Sequence, residues 1–152
     1  MDEWSRNVDN KQMNGLLFLD LRRAFDTVNH QLLLHKLATY GCNTSSIDWF
    51  ASYLTHRKQY VSVENKKSTI KDINIGLPQG SILGPILFVL FINDLPRNIP
   101  YGSVFMYADD TTISVSGTTK SEIESQLNNV MKYTYEWLKR NKLILNIDKK
   151  RR

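Results

Sequence analysis

Residues 104–115 read VFMYADDTTISV, in which an apolar run meets two adjacent aspartates and a second β-prone run follows at once. This pattern predicts a buried hairpin with Asp109 and Asp110 at its tip. Adjacent carboxylates repel each other, and this stretch contains no Lys or Arg. A Mg²⁺ ion would relieve the repulsion, since it prefers oxygen ligands. Taken alone, the pair is better explained as a solvated turn, because Asp favours turns.

A third carboxylate follows another apolar run. Residues 15–19 read GLLFL, which predicts a central strand buried on both faces, and Asp20 comes directly after it. If this strand neighbours the hairpin, Asp20 can join Asp109 and Asp110 as a metal ligand. A simpler interpretation is that Asp20 ends the strand and caps the segment that follows.

Helices and strands alternate along the rest of the chain. The first half is predicted to contain a helix at 30–40 between Asn29 as N-cap and Gly41, a second helix near Ser45, and a hairpin at 59–75 that turns at 64–67. A shaped loop at 76–85 precedes an apolar helix at 86–94. After the Asp-Asp hairpin come a long helix capped by Thr119 and Glu122 and a last strand at 143–147. The order predicts an α+β fold with helices on one face of a mixed or antiparallel sheet, and a ferredoxin-like arrangement is the natural expectation.

Apolar side chains at helical spacing indicate the buried helix faces. The second helix carries Trp49, Phe50, Tyr53 and Leu54 on one side. The long helix carries Ile123, Leu127, Val130, Met131, Thr134, Trp137 and Leu138 on one side. We therefore interpret both tryptophans as core residues. The three histidines have no metal-like partners in the sequence and are interpreted as surface or helix residues.

The composition is that of an ordinary globular protein, and most of the net positive charge comes from the last four residues. The 152 residues are 41% apolar, with 20 basic and 15 acidic side chains and a net charge of +5. The last four residues are KKRR, and without them 16 basic side chains face 15 acidic ones. Charge alone therefore does not indicate nucleic-acid binding. The single cysteine, Cys42, excludes an intramolecular disulfide and a Cys-rich zinc site.

Four motifs occur in one order: FLDLRRAFDTV at 18–28, GLPQGSILGP at 76–85, FINDL at 91–95 and YADD at 107–110. Together they resemble the palm of a reverse transcriptase of non-LTR, LINE-like retrotransposons, of the jockey or CR1 type. The resemblance runs from about Leu16 to Lys149. It implies a ferredoxin-like polymerase palm that adds dNTPs to a primer 3′-hydroxyl on an RNA or DNA template.

The resemblance also implies residue roles. Asp20 and Asp109 would hold two catalytic Mg²⁺ or Mn²⁺ ions, with Asp110 as the third carboxylate. Lys149 follows the LILN stretch near the position of a family lysine, which makes it a weak candidate for the general acid that protonates pyrophosphate. A solvated lysine in a basic tail is the better interpretation of Lys149.

Three further residues would bind the incoming nucleotide. Phe25 stands where the family has a bulky side chain that clashes with a ribose 2′-hydroxyl, so deoxynucleotides would be preferred. Gln79 and Gly80 match the loop beneath the nucleotide and template, and a glycine there lets backbone approach the substrate closely. Asp26 is also part of the pattern, but we assign it no metal and expect a turn or capping role.

The family pattern predicts that residues 1–152 are a single palm fragment that lacks the fingers and thumb, with weak or no polymerase activity on its own. The alternatives are an inactive retroelement remnant, a ferredoxin-like RNA-binding module with exposed aromatics on its sheet, and an RNA-dependent RNA polymerase palm, which Phe25 disfavours. Neither a secretory signal nor a membrane span is predicted. The resemblance implies an intracellular location, in cytoplasm or nucleus.

Overall fold

The computed structural model describes residues 3–146, and the chain falls into two compact units. The first unit combines the segment up to Ala24 with the segment from Ile92 onward, and the second is Phe25–Phe91. In chain order the elements are α1 (Glu3–Asp9), β1 (Met13–Leu19), a 3₁₀ turn (Ala24–Thr27), α2 (His30–Thr39), α3 (Thr44–Leu54), β2 (Arg57–Gln59), β3 (Ser62–Val63), β4 (Lys66–Lys67), β5 (Lys71–Ile73), α4 (Leu83–Ile92), α5 (Leu95–Asn98), β6 (Ser103–Tyr107), β7 (Asp110–Gly117) and α6 (Lys120–Asn141). This is a mixed α/β chain with antiparallel sheets, as its sequence predicts.

A three-stranded antiparallel sheet in the order β1-β7-β6 organises the first unit. β7 pairs with β1 as far as Leu19↔Thr111 and with β6 as far as Tyr107↔Asp110, which confirms the predicted hairpin. Among the described strands, β7 is the central one and β1 lies at an edge. Phe18 of β1 is 52% exposed, so the prediction that this strand is buried on both faces is wrong. A continuous apolar run does not show which of its side chains a neighbour covers.

One face of this sheet is covered by α6. Ile113 and Val115 of β7 are buried, and so is Trp137 of α6, which confirms the interpretation of Trp137 as a core residue. β1 approaches α6 at Gly15, where a Cβ atom would overlap the Ile123 side chain. The glycine therefore allows the close contact between strand and helix that buries the apolar face of α6.

The opposite face of the sheet is contacted by α1. The indole Nε1 of Trp4 donates a hydrogen bond to Ser114 Oγ at 3.0 Å, and its ring packs edge-on against Phe105 at 6.1 Å between centroids. Helices therefore contact both faces, and the expectation that they cover one face only is wrong. The sequence did not predict α1, because EWSRNVD is polar and lacks an apolar stripe.

Helices α2 and α3 pack together in the second unit and bury Leu33, Leu37 and Leu54. The predicted start of α2 is confirmed, since Asn29 Oδ1 accepts the Leu32 N–H at 3.0 Å. The predicted end is confirmed as well, because Gly41 follows the helix with φ +95°.

Helix α3 begins at Thr44, which confirms the predicted start near Ser45, and Asn43 is its N-cap, accepting the Ser46 N–H at 2.8 Å. Trp49 is 55% exposed and stacks on Tyr53 with ring centroids 5.8 Å apart, so its interpretation as a core residue is wrong. Helical spacing identifies an apolar side, but it does not show whether another element covers that side.

The hairpin at 59–75 forms as two short ladders, β2–β5 and β3–β4. Its turn is narrower than predicted and consists of Glu64 and Asn65, both with positive φ, as a type I′ turn requires. Of the predicted last strand, the described residues show one antiparallel bridge, Leu21↔Leu145, and Ile147 lies outside them. No helix within residues 3–146 is long and apolar enough to cross a membrane.

Candidate active site

Strand register brings the predicted metal ligands to one end of the sheet in the first unit. β1 and β7 pair as Leu19↔Thr111, and Asp20 is the next residue along the chain. The paired ladder ends there, so Asp20 and Asp110 are the next residues beyond its last pair, at the same end of the two strands. Asp109 immediately precedes Asp110. We call this end of the sheet, with its three aspartates, the carboxylate edge.

The tip of the hairpin is a two-residue turn formed by Ala108 and Asp109. Asp110 is already the first residue of β7 and pairs with Tyr107. Ala108 has φ +52°, a conformation that is uncommon for a residue with a Cβ. Backbone held in such a conformation occurs often at functional sites. A positive φ at the first of the two turn residues is also what a type II′ hairpin turn requires.

The tip is exposed and not buried, which corrects one premise of the sequence argument. Tyr107 is 86% exposed, Asp110 is exposed and Asp109 is half-buried. Water can therefore solvate the two carboxylates, and their repulsion does not by itself require a cation.

Asp20 is held by the segment that follows α6. Asn146 Nδ2 donates a hydrogen bond to Asp20 Oδ2 at 2.9 Å, and the Asn146 backbone N–H donates to the Asp20 carbonyl oxygen at 2.8 Å. Sequence reasoning missed Asn146, because 126 residues separate it from Asp20. The only available signal was its place at the end of LILN, close to the basic end of the chain.

The donor set of the carboxylate edge is chemically suited to Mg²⁺ or Mn²⁺. Carboxylate oxygens are hard ligands, and Mg²⁺ is commonly held by one or two carboxylates together with waters and substrate phosphates. Within residues 3–146, no three or more His, Cys, Asp or Glu side chains are placed so that together they could hold a metal ion, and this includes the three aspartates of the carboxylate edge. Such an edge fits an ion whose remaining ligands come from the substrate.

The predicted nucleotide residues meet in the second unit. Phe25, Gln79 and Gly80 line one cavity of about 560 Å³, together with Pro78 and Ile82 among others. The Phe25 ring stacks on the buried Phe88 ring of α4, with centroids 4.5 Å apart and planes 28° apart. This stack gives the Phe25 ring a fixed position in the wall of the cavity.

Backbone hydrogen bonds hold residues 76–80, which we call the glutamine loop, against the segment 25–30. The Leu77 N–H donates to the Phe25 carbonyl oxygen and the Gly76 N–H to the Val28 carbonyl oxygen, both at 2.8 Å. The buried His30 adds a contact of 2.7 Å between its Nε2 and the Gly76 carbonyl oxygen. The prediction that His30 is a surface or helix residue is confirmed in its second form, since His30 is the buried first residue of α2; its contact with the loop was not predicted.

Gly76 permits this close approach. It has φ +85°, and a Cβ atom at this position would lie 2.7 Å from the Asp26 carbonyl oxygen. An L-residue would therefore suffer both backbone strain and overlap with a neighbouring backbone.

Asp26 contacts the glutamine loop through its side chain. Its Oδ1 accepts a hydrogen bond of 2.7 Å from Gln79 Nε2. The sequence predicted a turn or capping role, and Asp26 does lie in the 3₁₀ turn Ala24–Thr27. The bond to Gln79 was not predicted, because 53 residues separate the two.

Lys149, the weak candidate for a general acid, lies outside the described residues. Its predicted role stays a prediction.

Comparison with known proteins gives consistent matches. Residues 3–152 match the family described as reverse transcriptase (RNA-dependent DNA polymerase). The chain is 32% identical over 149 residues to the RNA-directed DNA polymerase from mobile element jockey of Drosophila melanogaster, covering 93% of this chain and 16% of that protein. It is 31% identical over 145 residues to the probable RNA-directed DNA polymerase from transposon BS of the same organism, covering 87% of this chain and 15% of that protein. The chain thus spans about a sixth of the length of the curated relatives it matches.

Proposed function

The chain belongs to the reverse transcriptase family, and from that premise we propose that it is the palm of an RNA-directed DNA polymerase. Its relatives named in this way come from non-LTR retrotransposons. The proposed substrates are dNTPs and a primer annealed to an RNA or DNA template. The proposed fold of the whole palm is ferredoxin-like, and the antiparallel sheet of the first unit is compatible with it.

The carboxylate edge is the proposed metal site. The observation that carries this proposal is the β1–β7 register, because its last pair, Leu19↔Thr111, brings Asp20 to the end of the sheet where Asp109 and Asp110 lie. Asp20 and Asp109 would hold two Mg²⁺ or Mn²⁺ ions, with Asp110 as the third carboxylate. Bound ions would make the primer 3′-hydroxyl a better nucleophile and stabilise the charge on the triphosphate and on the leaving pyrophosphate.

The protein forms no covalent bond to the substrates in this reaction. Its contribution is to orient the primer 3′-hydroxyl and the dNTP. A bond forms between the primer 3′-oxygen and the α-phosphorus of the dNTP, while the bond to the β-phosphate breaks and the hydroxyl proton is released. Asn146 supports this chemistry by holding the Asp20 carboxylate in one orientation. Preorganised carboxylates do not have to reorient when the reaction occurs.

The cavity lined by Phe25, Gln79 and Gly80 is the proposed nucleotide site. Phe25 would exclude a ribose 2′-hydroxyl, and its stacking on Phe88 would keep the ring from moving aside. The positive φ of Gly80 and the open space around it allow the loop backbone to approach a substrate. A role for Lys149 as general acid for pyrophosphate remains the weakest part of this proposal.

Primer extension tests the proposal. The chain is incubated with poly(rA)/oligo(dT), dTTP and either Mg²⁺ or Mn²⁺. We expect incorporation by this chain alone to be weak at most, to require the metal and to be abolished by Asp109→Asn, while Asp72→Asn, which changes an exposed acid of the hairpin β2–β5, leaves it unchanged. Incorporation that survives in Asp109→Asn would disprove the role of the carboxylate edge. Adding rNTPs separately distinguishes this enzyme from an RNA polymerase.

A second function is favoured by one observation on the sheet face opposite α6. Phe18 and Phe105 both pair with Thr112, so they stand in one row across the three strands. They are 52% and 47% exposed, and Tyr107 in the next row is 86% exposed. Exposed aromatics on a sheet are typical of modules that stack RNA bases. RNA binding that is independent of metal and lost in Phe18→Ala would support this alternative.

A further inference from the structure

The hydrogen bond between Asp26 and Gln79 has a direction that chemistry dictates. An ionised carboxylate can only accept hydrogen bonds, whereas the glutamine amide has a donor end and an acceptor end. The 2.7 Å contact therefore requires the Gln79 Nε2 group to face Asp26 Oδ1. Its carbonyl oxygen, Oε1, must then point away from Asp26, because the two ends lie on opposite sides of the amide.

Gln79 stands between two cavities of the second unit. It lines the cavity of about 560 Å³ with Phe25 and Gly80, and it lines another of about 700 Å³ with Asp26 and Arg57. Asp26 belongs to the second cavity only. The amide nitrogen is thus held by a residue outside the proposed nucleotide cavity, which leaves the acceptor oxygen for a ligand inside it.

We propose that Asp26 is a positioning residue for nucleotide binding, because it holds the Gln79 amide with its carbonyl oxygen available to a hydrogen-bond donor of the nucleotide. This inference rests on the proposed function of the cavity. Sugar hydroxyls and base N–H groups are the donors that a nucleotide offers. Without Asp26 the amide could rotate by half a turn and present its N–H groups instead. A base N–H cannot accept such a hydrogen bond, and a sugar hydroxyl would have to accept instead of donate.

The hydrogen bond between Asp26 and Gln79 can orient the Gln79 amide, but it contributes little to the stability of the fold. Both side chains are exposed, and an exposed hydrogen bond adds little to folding, because water replaces it when it breaks. The backbone of the glutamine loop is held independently by the bonds of Gly76 and Leu77 to segment 25–30. Removing the Asp26 carboxylate should therefore change the Gln79 amide without unfolding the loop.

The first measurement is the NMR signal of the Gln79 side-chain NH₂ group, identified by its loss in Gln79→Ala. The isosteric Asp26→Asn variant can donate as well as accept, so it permits both amide orientations. We expect this signal to shift toward that of a solvated glutamine in Asp26→Asn and to stay unchanged in Asp72→Asn, which alters another acid lining the same cavity as Asp26. An unchanged signal in Asp26→Asn would overturn the proposal.

The second measurement is the dissociation constant of dTTP with Mg²⁺ for wild type, Asp26→Asn, Gln79→Ala and the double variant. We expect Asp26→Asn to weaken binding about tenfold, as loss of a charge-assisted hydrogen bond does. In the Gln79→Ala background the same change should have no further effect, since two residues that act through one contact are not additive. Independent, multiplying effects would show that Asp26 does not act through Gln79.

The two measurements separate failure of this inference from failure of the proposed function. If wild type binds dTTP and Asp26→Asn binds it equally well, the positioning role alone is wrong. If wild type does not bind dTTP at all, the proposed nucleotide cavity is wrong and the positioning role falls with it. The primer-extension experiment is independent of both results. If wild type incorporates dTTP and Asp109→Asn does not, the polymerase activity is established.

Discussion

The carboxylate edge of the first unit and the glutamine loop of the second are built in different ways. The carboxylate edge ends a continuous ladder in which β7 pairs with strands on both sides. The glutamine loop has no ladder and depends on two backbone hydrogen bonds, the contact from His30 and a glycine with positive φ. In a ladder, many hydrogen-bonded residues together hold the backbone in position. In the glutamine loop, only a few contacts hold it.

This difference predicts how each region responds to substitution. Side chains of the carboxylate edge can be replaced with loss of chemistry but little loss of structure, because the backbone pairing remains. Residues of the glutamine loop should lose structure and chemistry together when the close approach at Gly76 is blocked.

The largest structural effect is expected from Gly76→Ala. A positive φ disfavours an L-residue by about 1–2 kcal/mol, and the new Cβ would also lie 2.7 Å from a backbone oxygen. We expect the free energy of unfolding to fall by about 3 kcal/mol, measured by urea denaturation. Gly41→Ala is the matched control, since Gly41 also has a positive φ but no atom within 4 Å of the added Cβ, and it should lose only about 1 kcal/mol. Equal losses would show that close approach is not what requires Gly76.

The next effect concerns nucleotide choice. Phe25→Val shortens the side chain proposed to exclude the 2′-hydroxyl, and the selectivity for dNTPs over rNTPs should fall about tenfold, since pockets discriminate on this scale by size. The measurement is the ratio of kcat/KM for dTTP and UTP on poly(rA)/oligo(dT). Phe105→Val, which alters an exposed aromatic of the first unit, is the control and should leave the ratio unchanged. An unchanged ratio in Phe25→Val would remove Phe25 from the nucleotide site.

A comparable effect is expected from the residue that holds Asp20. Asn146→Ala removes the 2.9 Å hydrogen bond to Asp20 Oδ2 while leaving the sheet intact. The affinity of the carboxylate edge for Mn²⁺, measured by electron paramagnetic resonance titration, should fall about tenfold, as is typical when a partner of a metal ligand is lost. Asn98→Ala changes another amide of the first unit and should have no effect. Equal Mn²⁺ affinity in Asn146→Ala and wild type would mean that Asn146 does not orient a ligand.

The smallest effect is a pH dependence at the start of α6. Hydrogen bonds from the Thr118 backbone N–H and hydroxyl lower the pKa of Glu122. A lowered folded-state pKa contributes stability above the usual carboxyl range, and this contribution disappears as the pH falls through the lowered value. The melting temperature of Glu122→Gln should therefore lie below that of wild type at pH 7, and the difference should vanish in acid. A difference that persists in acid would point to a cause other than ionisation.

Local patterns predicted local structure well. The caps at Asn29 and Thr119, the glycine after α2 and the hairpin around YADD depend on residues only a few positions apart, and the structure confirms them. Patterns failed where burial depended on distant elements. Trp49 has helical spacing suited to a core, but in α3 it is Leu54 that is buried, while Trp49 is exposed.

The candidate site shows the same division. The order of the four motifs was sufficient to select Asp20, Asp109, Asp110, Phe25, Gln79 and Gly80 as site residues. It could not reveal Asn146, His30 or the bond from Gln79 to Asp26, because each of these contacts joins segments far apart in the chain.

The sequence by itself determined which residue types are available, where α2 and α6 are capped, and which family the motifs resemble. These properties follow from short-range sterics, hydrogen bonding and side-chain periodicity. Only the tertiary structure decided that β7 is the central strand, that β1 pairs with β7 as far as Leu19↔Thr111, and that the glutamine loop lies against segment 25–30. Such pairings depend on closing long loops and on complementary packing between distant segments, and neither is encoded in any single stretch of the chain.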